Sequence, residues 1–290
     1  IQFIIHSHQR IIGLKLKNIL EDNIWEKRRT RKSLDLAEKN LSSLPEDLQE
    51  FENLEEIYLQ NNNLTHIPAW IEKLVSLRDI DLRGNYLTEI SNNLLYLAKL
   101  EYLNLEKNLI SEIPNFLSHF SSLNYLDLSM NRLSKIGDGI QNCRQLQYLI
   151  VDRNRIKTIS KKIETCENLT NLYLDDNLIE FLPEEIGNCY AMTDFYIKNN
   201  YLRTLPESIK NWKNIQYIDL DKNLLRSLPD GIENWLNIQD IYLAENEIQY
   251  FPNGFWSLTT LKELILTKNP LNLNQVDKLR EFFPNTKIYF

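Results

Sequence analysis

The chain has 290 residues, 43% hydrophobic and 25% charged, with a formal net charge of −7 and only seven glycines. That apolar content excludes disorder and fibrous classes. An acidic balance speaks against nucleic acid as the main partner, and no stretch reaches the roughly 18 apolar residues of a membrane span.

The opening IQFIIHSHQRII is apolar but broken by His6, His8 and Arg10, and it lacks the order of a secretory signal. A first residue of isoleucine leads us to expect a fragment or a processed product. From about Leu14 to Thr30, the residues Leu16, Ile19, Leu20 and Ile24 fall near helical spacing and predict an amphipathic helix that covers the first apolar layer of the downstream chain. Residues 1–30 thus read as an N-terminal flanking and capping segment. The basic run Lys27, Arg28, Arg29, Arg31 and Lys32 is read as the solvated end of that helix, with cations near its carbonyl terminus.

From residue 31 to 283 one 23-residue pattern, LxxLxLxxNxLxxLP, is written eleven times without a gap, with first positions at Arg31, Leu54, Leu77, Leu100, Leu123, Leu146, Leu169, Met192, Ile215, Ile238 and Leu261. A period of this length predicts a single α/β solenoid domain, curved, with one short strand per unit in one parallel sheet and an irregular or 3-10 return segment on the outer side. Eleven strands are expected. Positions four and six, such as Leu103 and Leu105, turn inward because strand side chains alternate. Position nine is asparagine in ten repeats, at Asn62, Asn85, Asn108, Asn131, Asn154, Asn177, Asn200, Asn223, Asn246 and Asn269. An asparagine side chain both donates and accepts, so a buried column of them can satisfy backbone groups where the chain leaves the strand. Lys39 and Arg31 mark the first repeat as a degenerate end unit.

Proline at position fifteen, as in Pro45, Pro68, Pro183, Pro206, Pro229 and Pro252, suits a return segment that forms no ladder. Ser91, Gly137 and Ser160 replace it in three repeats, which predicts a looser outer side in the middle of the array. At the far end, Asn274 followed by Gln275, Val276, Leu279, Phe282 and Phe283 reads as a capped helix over about 274–283 that closes the last repeat. Residues 284–290, ending in KIYF, read as a terminal strand.

The repeat resembles the leucine-rich repeat family in its typical 23-residue form, Ras-suppressor-like or bacterial. The ending LREFFPNTKIYF is similar to the ends of bacterial, including secreted spirochaete, members. The resemblance implies protein binding: Ras-suppressor-like relatives scaffold small-GTPase or phosphatase pathways, and bacterial ones meet host proteins.

Cys143, Cys166 and Cys189 occupy position twenty-one of consecutive repeats, where Phe120 and Trp212 stand in neighbouring units, so they read as free core residues. No cysteine cluster flanks the array, unlike the disulfide caps of many extracellular relatives. A reducing cytoplasmic compartment is favoured, with a secreted or surface-exposed bacterial protein as the alternative. No nucleophile elbow, phosphate loop, zinc spacing or kinase signature appears, and His6, His8, His66 and His119 form no site. We expect no enzyme activity, no cofactor and no metal.

The informative surface is the outward face of the strands, at positions two, three, five, seven and eight. Eight of the fourteen tyrosines lie there, at Tyr58, Tyr102, Tyr125, Tyr148, Tyr173, Tyr196, Tyr217 and Tyr242, as a diagonal stripe. Tyrosine offers contact area, a polar tip and little rotamer cost. The same positions carry eighteen acids against nine bases, with Asp81, Asp127, Asp152, Asp175 and Asp219 among the tyrosines. A monomeric, non-enzymatic scaffold that binds a basic protein or peptide on this face is therefore expected. Two rival readings are the recognition part of a larger enzyme and a structural assembly subunit.

Overall fold

A computed structural model describes residues 27–290. Residues 27–30 form a turn, and the rest of the amphipathic helix expected over about 14–30 lies outside the described residues. In every repeat, positions three to five form a three-residue strand that pairs in parallel with the same positions one repeat on. Ile80 stands opposite Leu103, and Phe195 opposite Ile218. The eleven repeat strands run in sequence order from Ser33–Asp35 to Glu263–Ile265. Lys287–Tyr289 then adds a twelfth to the same sheet, with Ile288 opposite Leu264. The expected count of eleven is one short because the terminal strand continues the ladder.

The inward residues make one continuous core from Leu34 to Phe283. Leu103, Leu117, Leu126 and Leu149 are fully buried. Each of the first ten repeats returns through a short 3-10 turn, such as Glu184–Asn188 after the extended Pro183. Where proline is missing, the outer side is not loosened. The Ser91 and Ser160 hydroxyls accept the N–H groups of Asn93 and Lys162 and so cap their turns. Beside Gly137, Lys135–Ile136 pairs with Thr158–Ile159 in a second, two-stranded parallel sheet. Serine restores a cap that proline cannot supply, and at Ser160 it also keeps the backbone N–H that donates to Ile136 O, which a proline would lack.

The asparagines occupy the junction between strand and return. Asn131 Nδ2 donates to the carbonyls of Leu105 and Leu128 at 2.9 and 3.1 Å, and its Oδ1 accepts the Ile110 N–H at 2.9 Å. The pattern repeats from Asn62, whose Nδ2 binds Leu36 O and Leu59 O, to Asn269, whose Nδ2 binds Leu243 O and Leu266 O. Each asparagine therefore ties its own strand end to that of the preceding repeat.

One residue earlier, position eight is left-handed in all eleven repeats, with φ between 53° and 65° from Glu38 and Asn61 to Glu245 and Lys268. Only Gly84 among them lacks a side chain. A left-handed non-glycine costs about 1–2 kcal/mol. The compensation is visible: the position-eight N–H continues the ladder, as when Lys107 donates to Ser129 O at 2.9 Å.

The closing helix runs Leu273–Phe282, capped by Asn272, whose side chain accepts the Gln275 N–H at 3.0 Å. The cap expected at Asn274 thus moves two residues back, and Asn274 lies in the first turn. Leu279 and Phe283 are buried, and Phe283 meets the Phe255 ring edge-on at 5.4 Å. This helix covers the last apolar layer.

Removing one rung should be expensive. Asn131→Ala leaves the Ile110 N–H without an acceptor and takes one of two donors from Leu105 O and from Leu128 O, which keep Asn108 and Asn154, so we expect a loss of about 1–3 kcal/mol. Asn63, exposed and one place off the ladder, should cost under about 0.5 kcal/mol when replaced by alanine. Urea melts of the two variants test the register, and equal losses would contradict it.

Candidate functional site

Alternation places positions three and five on the face opposite the core, and stacking at strand spacing brings equivalent side chains into contact. The expected single stripe of tyrosines resolves into two ladders. In the first, Tyr102 and Tyr125 stack with centroids 4.4 Å apart, and Tyr148 follows at 6.0 Å. In the second, Tyr173 stacks on Tyr196 at 4.4 Å, Tyr217 follows at 4.7 Å, and Tyr242 meets it edge-on at 5.0 Å. The break falls where tyrosine moves from position three to position five. Tyr58 stands apart, its hydroxyl donating to Glu56 at 3.1 Å. Tyr148 is the most open member at 38% exposure; Tyr102, Tyr125, Tyr173, Tyr196, Tyr217 and Tyr242 are half-buried. Burial, reinforced by nearby acids, raises the Tyr242 phenol to about 12 and raises those of Tyr125, Tyr196 and Tyr217 further. All four are neutral hydrogen-bonding groups at physiological pH.

The acids among them also serve the backbone. Aspartate at position five accepts the N–H two residues on: Asp81 from Arg83 at 3.1 Å, Asp127 from Ser129 at 2.8 Å and Asp219 from Asp221 at 3.0 Å. Asn104 does the same for Glu106 at 2.9 Å. A tyrosine at position five cannot. In three of those repeats the acceptor comes instead from position seven of the preceding unit. Asp152 accepts the Asp175 N–H, Asp175 the Lys198 N–H and Asp221 the Ala244 N–H, each at 2.7 Å. The tyrosines at 173, 196 and 242 are thus accommodated by acids at 152, 175 and 221.

These carboxylates are partly withdrawn from water, and desolvation dominates their ionisation. Burial pushes Asp152 up to about 7, with the charge of Asp175 adding to it and the Asp175 N–H opposing. Asp175 and Asp219 rise to about 6 for the same first cause, and Asp81, Asp127 and Asp221 are raised as well. Asp152 and Asp175 line a recess of about 230 Å³ with Glu106, Ser129, Met130, Arg153 and Asp176. The face is therefore less negative near neutrality than its residue count, and it gains charge as pH rises.

A column on the outer side escapes a reading of apolar pattern alone. At position twenty-one, Cys166 and Cys189 place their sulfurs 3.4 and 3.5 Å from the carbonyls of Ile140 and Ile163. Trp212 and Trp235 donate Nε1–H to Ile186 O and Ile209 O at 3.1 and 2.9 Å. Cys143, Cys166 and Cys189 are free and buried, and burial pushes the Cys143 and Cys189 thiols up to about 12 and Cys166 higher. They are inert core donors. His66 contacts Thr65 and His119 contacts Phe116 O, each within its own return segment; His6 and His8 lie outside the described residues. Among the described residues no cluster of histidine, cysteine or carboxylate could hold a metal, and no helix is long and apolar enough to cross a membrane.

A leucine-rich repeat family model matches residues 32–87, 80–133, 98–156, 122–179, 167–225 and 213–271. The chain belongs to the leucine-rich repeat family. Among solved structures it is similar to the plant peptide hormone receptor RGFR1 in complex with RGF2, with a TM-score of 0.72 and 29% identity over 85% of this chain and 42% of that one. It is also similar to the functional domain of InlJ from Listeria monocytogenes, which includes a cysteine ladder, with a TM-score of 0.71, 19% identity and coverage of 85% and 51%. The internalin InlF of the same organism has a TM-score of 0.70, 22% identity and coverage of 91% and 81%. The two Listeria likenesses show the fold alone. The chain spans about half or less of the RGFR1 and InlJ chains. Among curated proteins no sequence matches.

The raised carboxylates give the array a pH signature of definite sign. A group whose folded pKa lies above its unfolded value of about 3.9 binds more protons in the folded state between the two, so its contribution is full below about pH 4 and is lost as pH rises. That window runs from about 4 to about 7 for Asp152 and from about 4 to about 6 for Asp175 and Asp219. Glu55 and Glu185, lowered by hydrogen bonds to Lys32 and Lys161, act in the opposite sense but lie at the surface, where solvent screens them. Asp152→Asn keeps an acceptor for the Asp175 N–H and removes the charge. We expect it to raise the melting temperature at pH 7 by roughly 2–4 °C and to leave it nearly unchanged at pH 4.5. Thermal melts at the two pH values check this; an equal effect at both would remove burial of the charge as its cause.

Proposed function

We propose that the chain is a non-enzymatic recognition module whose concave face docks a basic protein or peptide. The observation that carries this reading is the pair of tyrosine ladders, partly exposed on a rigid pleated face and interleaved with acids. Aromatic groups already held in contact lose little freedom on binding, so they can serve as anchors. The acids supply long-range attraction for a cationic partner and act chiefly on association rate. Twelve strands at about 4.8 Å span roughly 50 Å, room for an interface of ordinary size. RGFR1, a peptide hormone receptor solved in complex with RGF2, uses the same fold, which supports peptide or protein recognition by such an array.

The acids divide by role. Asp81, Asp127, Asp152, Asp175 and Asp219 accept backbone N–H groups, so reversing them to lysine damages the strand ends as well as the charge. Glu106 and Asp240 make no such bond among those found for the described residues, and they suit a test of charge.

The test is selection of short peptides from a random displayed library against the full chain, followed by titration of the selected peptides. Enrichment in lysine and arginine is expected. Tyr148→Ala and Tyr173→Ala should each weaken binding by about 2 kcal/mol or more, and Glu106→Lys should slow association and flatten its salt dependence. Glu184→Lys, on the convex side, serves as the control. Selected peptides that are acidic, or affinity lost through Glu184→Lys and kept in both tyrosine variants, would place recognition elsewhere.

A further inference from the structure

The outer edge of the array, positions ten to seventeen of each repeat, has its own charge pattern. In the fifth and sixth repeats it carries six cations, Arg132, Lys135, Arg155, Lys157, Lys161 and Lys162, against one acid, Asp138. Over the same positions the other eight of the first ten repeats hold ten acids and two cations. The reversal falls where Gly137 and Ser160 replace proline and where Lys135–Ile136 pairs with Thr158–Ile159. That pairing matters physically. Lys157 N–H donates to Ser134 O at 3.0 Å and Ser160 N–H to Ile136 O at 2.7 Å, which holds the two basic return segments side by side at ladder spacing.

All six cations are exposed. Only Lys161 has a carboxylate partner among the ion pairs of the described residues, Glu185 at 3.0 Å. The sole acid within the patch is engaged by its neighbour, since Ser160 Oγ donates to Asp138. Lys135, Lys161 and Lys162 line a groove of about 710 Å³ with Asp138, Thr158 and Ser160, and Glu112 stands on its border. Like charges set this close repel one another, and an anionic surface laid against them removes that cost. The patch is two repeats wide, about 10 Å along the axis, and is flanked by Glu112, Glu180 and Glu184. A long anionic polymer following the axis would run into those acids; a compact acidic surface would not.

We propose that this basic ridge docks into the acidic concave face of a second copy of the chain. Charge complementarity names the occupant: the concave face has eighteen acids against nine bases, whereas the patch has six cations against one acid. The contact joins two different surfaces, so it is head-to-tail and leaves the pair with one free ridge on one copy and one free hollow on the other, which allows short open chains or a ring. Six long side chains make a small interface, at the weak and salt-sensitive end of the range. The proposal rests on the concave face being a docking surface for cations. It adds that the array supplies such a surface itself and departs from the monomer expected from sequence.

The experiment is sedimentation velocity of the full chain over a hundredfold range of concentration, at low salt and at high salt. Association is expected to grow with concentration and to weaken at least tenfold in high salt. The double variant Arg155→Glu with Lys157→Glu removes the ridge, and Glu106→Lys with Asp240→Lys weakens the hollow; each alone should sediment as a monomer. Mixed in equal amounts they should form a one-to-one dimer, because the first retains its hollow and the second its ridge. A wild-type chain that stays monomeric at every concentration and salt overturns the proposal, as does a mixture that stays monomeric. Association that persists in the ridge variant overturns it too. Peptides selected on the concave face, titrated against the ridge variant in parallel, separate the two readings: undiminished binding there leaves recognition by the hollow standing even when self-association fails.

Discussion

The side-chain amide at position nine is the interaction on which the rest depends. A chain that turns out of a three-residue strand every 23 residues exposes carbonyls and N–H groups at each exit, and in a stacked solenoid those exits are buried. Asparagine is short enough to sit inside the turn and carries donors and an acceptor on one planar group. Asn62 and its successors bind carbonyls of two repeats and an N–H of one, so the same residue that closes a turn also clamps the stack. The apolar layers supply most of the driving force, but they are non-directional. The amide column sets which repeat lies on which, at what height, and with which face outward.

With the exits closed from within, the concave face is left to other tasks, though not wholly. Its strands are so short that the N–H at position seven still needs an acceptor, and aspartate supplies it from position five or from the preceding unit. Every tyrosine placed at position five removes one acceptor, which in the repeats of Tyr173, Tyr196 and Tyr242 returns from Asp152, Asp175 and Asp221. Aromatic anchors and acids are therefore coupled by backbone chemistry, independently of any partner. The coupling has a cost in desolvated carboxylates, and it makes the electrostatics of the face depend on pH: rising pH adds charge for a cationic partner while lowering the stability of the array that displays it.

Much of this architecture is legible in sequence because a repeat converts position into environment. The inward leucines at 103 and 105, the asparagine column and the buried cysteines follow from period and alternation alone. The features that escape do so for physical reasons. The left-handed residue at position eight is glutamate, lysine, methionine or arginine as readily as asparagine, so composition gives no sign of it; the neighbouring ladder bond, not the side chain, stabilises the turn. The cap at Asn272 escapes because Asn272 and Asn274 are both asparagines two places apart, and only the position of the Gln275 N–H, bonded to Asn272, distinguishes them. The twelfth strand requires knowing that the helix returns the chain to the sheet edge. The two tyrosine ladders, read as one stripe, separate only when ring contacts are seen. The aspartates read as docking charge are backbone acceptors as well, a role visible only once neighbouring repeats are in register.

The central claim, that one amide column locks neighbouring repeats together, is tested most directly by hydrogen exchange of single backbone amides. Ile110 N–H has Asn131 Oδ1 as its acceptor at 2.9 Å, and Ile179 N–H has Asn200 Oδ1 at 2.9 Å. In the wild-type chain both should exchange only through large-scale unfolding. In Asn131→Ala, under conditions where the chain remains folded, Ile110 should exchange at least tenfold faster and Ile179, three repeats away, should keep its protection. Equal protection of the two amides in the variant would contradict the claim, because the apolar layers alone would then hold the repeats in register.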